Sequence, residues 1–556
     1  MARTEESAEP AGGESGGQVH GGRLVARTLT SRGVTHLFSL SGGHLFSIYD
    51  GCRAEGIEVV DTRHEASAAW AAEGFAKATR RAGVCALTAG PGVTNGMSPL
   101  AGAQQNRSPL VVLGGRAPEM RWGSGSLQEI DHLPFVSPLV KSARTVKDTA
   151  AIPQLTAAAI DAALEQPSGP TFVDYPLDVV FQEAEAEVPE AERSAGKPAD
   201  RSDEAAALLA NAERPAIMAG TGLYWAHGEE ALRGLAEALA IPVFVNGMGR
   251  GCLPADHELH FSRARRQGLK EADVALVVGV PLDFRLAFGG SFGEQTKIVS
   301  LDTGPGRLAA TRQPDVELVG DIPATLGALT EAAASLDGER GRPDPWLSAL
   351  RETESEKRES ELGDLADGRA PLHPVRVYAE LNEVLDRDAI VIGDGGDFIS
   401  YAGRHIETHV PGAWMDPGPY GCLGAGPGQA IGASKAQPNR QVCLLMGDGA
   451  FGFSGLEFDT MARHGLPVVG VIGNNGIWAL EHHPMKFLYG YSMAAELRPA
   501  TRYDRIAEAL GCHAELVEKP DDLRPALERA FAAGGPALVN VLTDPEVIYP
   551  RKAVLA

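Results

Sequence analysis

Residues 446–478 read MGDGAFGFSGLEFDTMARHGLPVVGVIGNNGIW. An apolar run at 442–446 has the make-up of a buried strand, and it breaks at Gly447-Asp448-Gly449, where glycines permit a tight turn and close approach of backbone to a ligand. The break sets a carboxylate at a strand's C-terminal edge. The pattern then predicts a helix over 454–464 and a second strand over 468–472 that ends in Asn474-Asn475. Asp448 and Asn475, 475 − 448 = 27 positions apart, are therefore expected at neighbouring strand ends. A carboxylate with an amide carbonyl, turn backbone and water is a hard oxygen set suited to Mg2+, which keeps part of its coordination for substrate phosphates. The implied ligand is a metal-bound diphosphate, seated beyond the carboxyl ends of a parallel sheet.

Outward from this stretch, short apolar strands alternate with helices along the chain. A helix at 23–32 leads to a strand at 35–40 and the turn Ser41-Gly42-Gly43-His44; a strand at 57–61 leads to Arg63-His64-Glu65 and an alanine-rich helix. Further strands are expected at 84–88 and 110–114, then at 216–219, 243–246, 274–278 and 298–301. The fold class that follows is α/β, three doubly wound domains with mainly parallel sheets. They are expected at 21–188, 203–336 and 371–550, joined by polar, Pro- and Gly-bearing linkers. A tail at 1–20, rich in Glu, Ser and Gly, reads as disordered, and 551–556 as a C-terminal tail or lid.

Composition narrows the class of function. A formal net charge of -23 over 556 residues argues against a nucleic-acid partner. Six cysteines without a CxxC pair read as reduced thiols of a cytoplasmic protein. No apolar run approaches the length of a membrane span, and the N-terminus lacks the apolar segment of a signal peptide.

The GDG followed by NN, with strand, turn, helix and strand in order, resembles the signature of thiamine-diphosphate-dependent enzymes. Three such domains over residues 22–550 look like the pyrimidine-binding, central and diphosphate-binding domains of the acetolactate synthase and pyruvate oxidase type. The resemblance implies thiamine diphosphate and Mg2+, the metal on Asp448, Asn475 and the Ile477 carbonyl, with backbone at Gly447, Gly449 and Ala450 against phosphate. Glu65, in a segment resembling the family's RHE-x-x-A-x-x-A, matches the catalytic glutamate that protonates the aminopyrimidine ring. Leu423, in GCLGAGPGQAIGAS, matches the bulky residue wedged between the cofactor's two rings, where relatives often carry Met. Gln128, in GSLQEIDH, resembles the glutamine of GAFQE in acetolactate synthases and 2-hydroxyacyl-CoA lyases, which faces the cofactor. The backbone at Gly42 and Gly43 is placed to hold an oxyanion, His44 to donate to a substrate oxygen, and Glu496 to carry protons. His482-His483 is read as site lining at most.

In the central domain the resemblance implies an adenine nucleotide, with ADP favoured over FAD. Gly220-Thr221-Gly222 would take phosphate, and Asp302 and Asp321 would hold ribose or adenine, yet Pro281 stands where relatives carry an arginine. The expected activity is cleavage of a 2-hydroxyacyl-CoA to formyl-CoA and a ketone or aldehyde. The alternatives are an acetolactate-synthase-like carboligase acting on pyruvate, or a decarboxylase of 2-oxoacids or oxalyl-CoA. An acyl-CoA substrate needs cations for its phosphates, and Arg404, the cluster Arg263, Arg265 and Arg266, and Arg551-Lys552 are the candidates. The family pattern further implies a homodimer or homotetramer.

Overall fold

A computed structural model describes residues 17–191, 196–304, 312–335 and 344–550. Three parallel sheets carry it. In the first, the spatial order is Glu58–Asp61, His36–Ser39, Gly83–Leu87, Leu110–Arg116, Thr171–Pro176, Ser142–Thr145. In the last it is Trp414–Met415, Ile390–Asp394, Val442–Gly447, Val468–Asn474, Ala537–Leu542, His513–Val517. Numbered along each domain's own chain, both sheets run 2-1-3-4-6-5. The central sheet, Val243–Val245, Pro215–Ala219, Val274–Val278, Lys297–Asp302, Val316–Val319, runs 2-1-3-4-5. Between strands 1 and 3 of each order the chain reverses direction across the sheet, which opens a crevice at the strands' carboxyl ends.

These strands form because their residues are apolar on both faces, as a sheet covered by helices on both sides requires. Every residue of Leu110–Arg116, Thr171–Pro176 and Val274–Val278 is buried. One continuous core joins the central domain to the inner faces of the first and last sheets, and the outer faces of those two sheets each have their own core.

The first and last domains meet through helices Glu65–Thr79 and Ala425–Ala436, which run in the same direction against each other. Small residues permit the closeness: a Cβ on Gly432 would stand 1.9 Å from the Ala71 carbonyl oxygen, and one on Gly74 2.3 Å from that of Gln429. The buried Glu73 between them is fully partnered, by Asn106 and Gln429 at 3.0 and 2.9 Å, Ser108 at 2.9 Å and Lys77 at 3.1 Å.

Three details differ from the expectation. The single helix over 454–464 is two, Asp448–Ser454 and Glu457–Arg463, because the chain turns helical directly at Asp448. Val19–His20, assigned to the tail, pairs antiparallel with Glu183–Ala184. The polar stretch before the last domain carries a helix, Asp344–Leu365, whose Trp346 indole donates to Pro215 O (3.0 Å) and whose Glu354 accepts from Arg263 N (2.7 Å) and Ala264 N (2.8 Å). The segments 1–16 and 551–556 lie outside the described residues, and with them the lid, Arg551 and Lys552. Among the described residues, no helix is long and apolar enough to cross a membrane.

Candidate active site

Asp448 is the first residue of helix Asp448–Ser454, at the end of strand Val442–Gly447. It is 3% exposed, and its carboxylate accepts from Gly449 N (3.0 Å) and Gly476 N (2.8 Å). Burial pushes its carboxyl up to about 6. Among the described residues no cationic side chain is bonded to it. A buried carboxylate met only by N–H groups is incompletely compensated, and a divalent cation would complete it.

The two asparagines divide the work. Asn474 turns into the fold, its amide donating to Thr501 O (2.9 Å) and Asn540 Oδ1 (3.1 Å). Asn475 turns to the crevice, with Oδ1 accepting from Ile477 N (3.1 Å) and Nδ2 3.5 Å from Asp397 Oδ2. Ile477 faces Glu496 in a short antiparallel bridge whose bonds run from Trp478 N to Ala495 O and from Leu497 N to Gly476 O, neither using the Ile477 carbonyl. The Trp478 ring covers the turn: a Cβ on Gly449 would meet it at 2.5 Å. These oxygens fit the Mg2+ set that the sequence suggested, and Asp397, absent from that reading, adds a buried carboxyl raised to about 6 by desolvation.

A second missed residue sets Leu423. Asp394, at the end of strand Ile390–Asp394, is wholly buried and accepts from Gly424 N (3.0 Å) and Gly426 N (2.8 Å), pinning the loop immediately after Leu423. Desolvation pushes its carboxyl up to about 7. Ser454 holds the same loop by donating to Gly424 O (2.8 Å).

The first-domain half is built on other strand ends. Glu65 opens its helix behind the N-cap His64 and accepts from Asn95 Nδ2 (3.0 Å). His44 is buried, its Nδ1 3.2 Å from Thr88 Oγ1, and burial with the nearby His132 lowers its pKa, which leaves a neutral ring at pH 7. Gly42 is pressed against Thr88, where a Cβ would clash at 2.3 Å, and Gly43 begins the turn that carries His44. Gln128 sits with φ 60°, a conformation that a non-glycine residue adopts only when its surroundings impose it. One neighbour is Gly90, where a Cβ would stand 2.9 Å from the Gln128 carbonyl oxygen. Gly90 N donates to His132 Nε2 (3.0 Å), so the ring carries its proton at Nδ1, which faces Asp174 Oδ2 at 3.1 Å. Arg116 reaches the same carboxylate (3.2 Å) and lies 3.7 Å over the Trp122 ring. His132, Asp174 and Arg116 could not be read from sequence, because Gly90 and Asp174 each lie 42 positions from His132.

Three family models match along the chain. The N-terminal TPP binding domain of thiamine pyrophosphate enzymes matches residues 19–135, the central domain 202–329 and the C-terminal TPP binding domain 394–541. The chain belongs to the thiamine pyrophosphate enzymes. A "probable acetolactate synthase" of Mycobacterium bovis and the acetolactate synthase large subunit IlvG of Mycobacterium tuberculosis are each 56% identical to it over 546 residues, 97% of this chain and 98% of theirs. A 2-hydroxyacyl-CoA lyase 2 of Caenorhabditis elegans is 34% identical over 577 residues, 94% of this chain and 89% of its own.

Several other residues singled out within this thiamine pyrophosphate enzyme are already engaged, while Arg266 of the arginine cluster is exposed. Arg404, offered for CoA phosphates, donates through Nε to the buried Glu361 (2.8 Å), and Arg263 donates to the same carboxylate (3.1 and 3.2 Å). Arg265 turns toward the Arg285 carbonyl (3.5 Å). Asp321 caps helix Ile322–Ser335 by accepting from Ala324 N (2.9 Å). Asp302 accepts both guanidinium nitrogens of Arg107, at 2.6 and 2.8 Å. Gly220 caps helix Thr221–Trp225 and packs against Asn246. The acids expected to hold an ADP or FAD are thus occupied by protein groups, and the central-domain nucleotide does not fit the residues present. Glu496 is exposed and joined through Ser492 to the buried His482, whose Nδ1 is 2.9 Å from Ser492 Oγ.

Proposed function

We propose that this enzyme is a carboligase of 2-oxo acids that joins two pyruvates to acetolactate, in place of the thioester cleavage that the sequence first suggested. The C1–C2 bond of one pyruvate breaks and CO2 leaves, a bond forms from that C2 to C2 of the second pyruvate, and one proton is taken up at the second carbonyl oxygen. Bound thiamine diphosphate supplies the carbon nucleophile for both bond changes. Asp448, Asn475 and the Ile477 carbonyl would hold Mg2+, which would anchor the diphosphate. Leu423 props the cofactor, Glu65 holds the proton at the pyrimidine ring, and the neutral His44 with the Gly42-Gly43 backbone offers donors to a developing oxyanion.

The observation that carries this reading is the 56% identity, over 97% of the chain, to proteins named acetolactate synthase. The commitment of Arg404 and Arg263 to Glu361 supports it, since CoA phosphates would have to take those guanidiniums from a buried carboxylate. Thioester cleavage is the second reading, favoured by the 34% identity to a 2-hydroxyacyl-CoA lyase 2. Half of the proposed site lies on the first domain and half on the last, and exposed apolar side chains flank both, Met120 and Leu127 at 73% and 80%, Phe453 and Phe487 at 63% and 89%. We take the working unit to be at least a homodimer that covers these surfaces.

The test is to offer the protein loaded with thiamine diphosphate and Mg2+ pyruvate in one reaction and a panel of 2-hydroxyacyl-CoA thioesters in another, with products read by mass spectrometry. Acetolactate from pyruvate is expected. Formyl-CoA from a thioester with no acetolactate would overturn the proposal in favour of the second reading.

A further inference from the structure

We infer that the central domain of this chain works without a bound adenine nucleotide, because Arg107 of the first domain fills the place where a nucleotide's ribose and phosphate would bind. Arg107 follows helix Met97–Asn106 in a left-handed conformation, φ 55°, and its carbonyl accepts from Ser168 Oγ (2.6 Å). From there the guanidinium reaches into the central domain, with Nη1 and Nη2 donating to Oδ1 and Oδ2 of Asp302 at 2.6 and 2.8 Å. Asp302 ends the strand Lys297–Asp302 and is 5% exposed. The same Nη1 lies 3.0 Å from where a Cβ on Gly222 would stand, so one side chain blocks both the acid and the glycine turn that a nucleotide would use.

Three further features agree. Pro281 offers no donor where a guanidinium would be required. Asp321 is spent on its helix cap and lies under Gly196, whose Cβ would meet its Oδ2 at 2.3 Å. A cleft of about 520 Å³ opens beside Arg107, lined also by Thr221, Gly279, Pro281 and Arg285. Its other cations are engaged as well, Arg285 with Asp283 (3.1 Å from Nε to each carboxylate oxygen) and Lys141 Nζ with Glu165 O (2.6 Å). A bidentate guanidinium–carboxylate pair is among the stronger polar contacts, and neutral ribose hydroxyls in place of Arg107 would leave a half-buried cation without its anion. The pair instead ties the first domain to the central one. This inference does not depend on which substrate the enzyme takes.

The experiment uses the full chain loaded with thiamine diphosphate and Mg2+. Denatured protein is extracted and the extract read by absorbance and mass spectrometry for FAD and ADP; thermal melting is then followed with either nucleotide added. The expected result is no stoichiometric FAD or ADP and a melting temperature that neither nucleotide moves. Arg107→Ala and Asp302→Asn should each lower the melting temperature of the nucleotide-free protein, and the double variant should fall no further than the worse single one, as partners in one contact do. Stoichiometric nucleotide in the extract would overturn the inference, as would a rise with ADP in the wild type that Arg107→Ala abolishes, since the guanidinium would then be a phosphate ligand. If the variants do not fold, the wild-type extraction and melting decide alone.

Discussion

The central and last domains share the strand order 2-1-3-4, and each carries a buried carboxylate to the carboxyl end of its sheet. Asp448 is 3% exposed and Asp302 5%. Their partners differ. Asp448 receives two backbone N–H groups, which leaves its charge to be met from outside, while Asp302 receives the forked guanidinium of Arg107. On the reading proposed above, the same sheet edge serves as a binding site in one domain and as a structural joint in the other. What separates them is one arginine from a neighbouring domain, so a strand-end carboxylate is evidence of a site only when its counter-charge is missing.

The sharpest way to break this comparison is Asp448→Ala. Binding of Mg2+ and thiamine diphosphate, read by calorimetry, should be lost together with activity; unchanged binding would refute the assignment. Glu65→Gln should keep cofactor binding and lower kcat by roughly 10²–10⁴-fold, the usual scale for removing a positioned proton-transfer group, and turnover near wild type would remove Glu65 from the mechanism. Arg107→Ala should cost about 3 kcal/mol of stability by stranding the buried Asp302, measured by denaturant unfolding, with cofactor binding in the last domain intact. Asp394 gives a pH signature. Its carboxyl, at about 7 in the folded protein against an ordinary 3.8, binds a proton more tightly folded than unfolded. The stability it contributes is therefore complete at low pH and lost as pH rises through 7, so Asp394→Asn should flatten the fall in melting temperature between the two values. The smallest effect belongs to Arg404→Ala. This part-exposed guanidinium should cost about 1 kcal/mol or less, with KM for pyruvate unmoved, and a large rise in KM for an acyl-CoA would return the site to thioester chemistry.

Much of this was legible in the chain. The alternation of apolar strands and helices follows from local periodicity, and the strand expected at 274–278 is the observed Val274–Val278. Strands Ser142–Thr145 and Val316–Val319 escaped notice because one is half-exposed and the other exposes every second residue, so neither shows an apolar run. Asp448 and Asn475 could be found because glycine and asparagine at strand ends carry their geometry in the residues themselves. Asp394 was not, although it stands in the same kind of glycine-rich turn, because its partners Gly424 and Gly426 lie 30 and 32 positions away.

The sequence by itself determined the α/β class and the thiamine diphosphate that its GDG and NN motifs imply, since both rest on patterns within one strand–helix–strand stretch, 27 positions from Asp448 to Asn475. Only the tertiary structure decided which charges are already neutralised. Arg107 and Asp302 stand 195 positions apart, and Arg404 and Glu361 43 apart, and a charge is free or taken according to what the folded chain lays beside it. That pairing is a through-space property with no local signature, which is why Asp302 and Arg404, read as open to ADP and CoA, have protein partners in the fold, while Asp448, among the described residues, has no cation of its own.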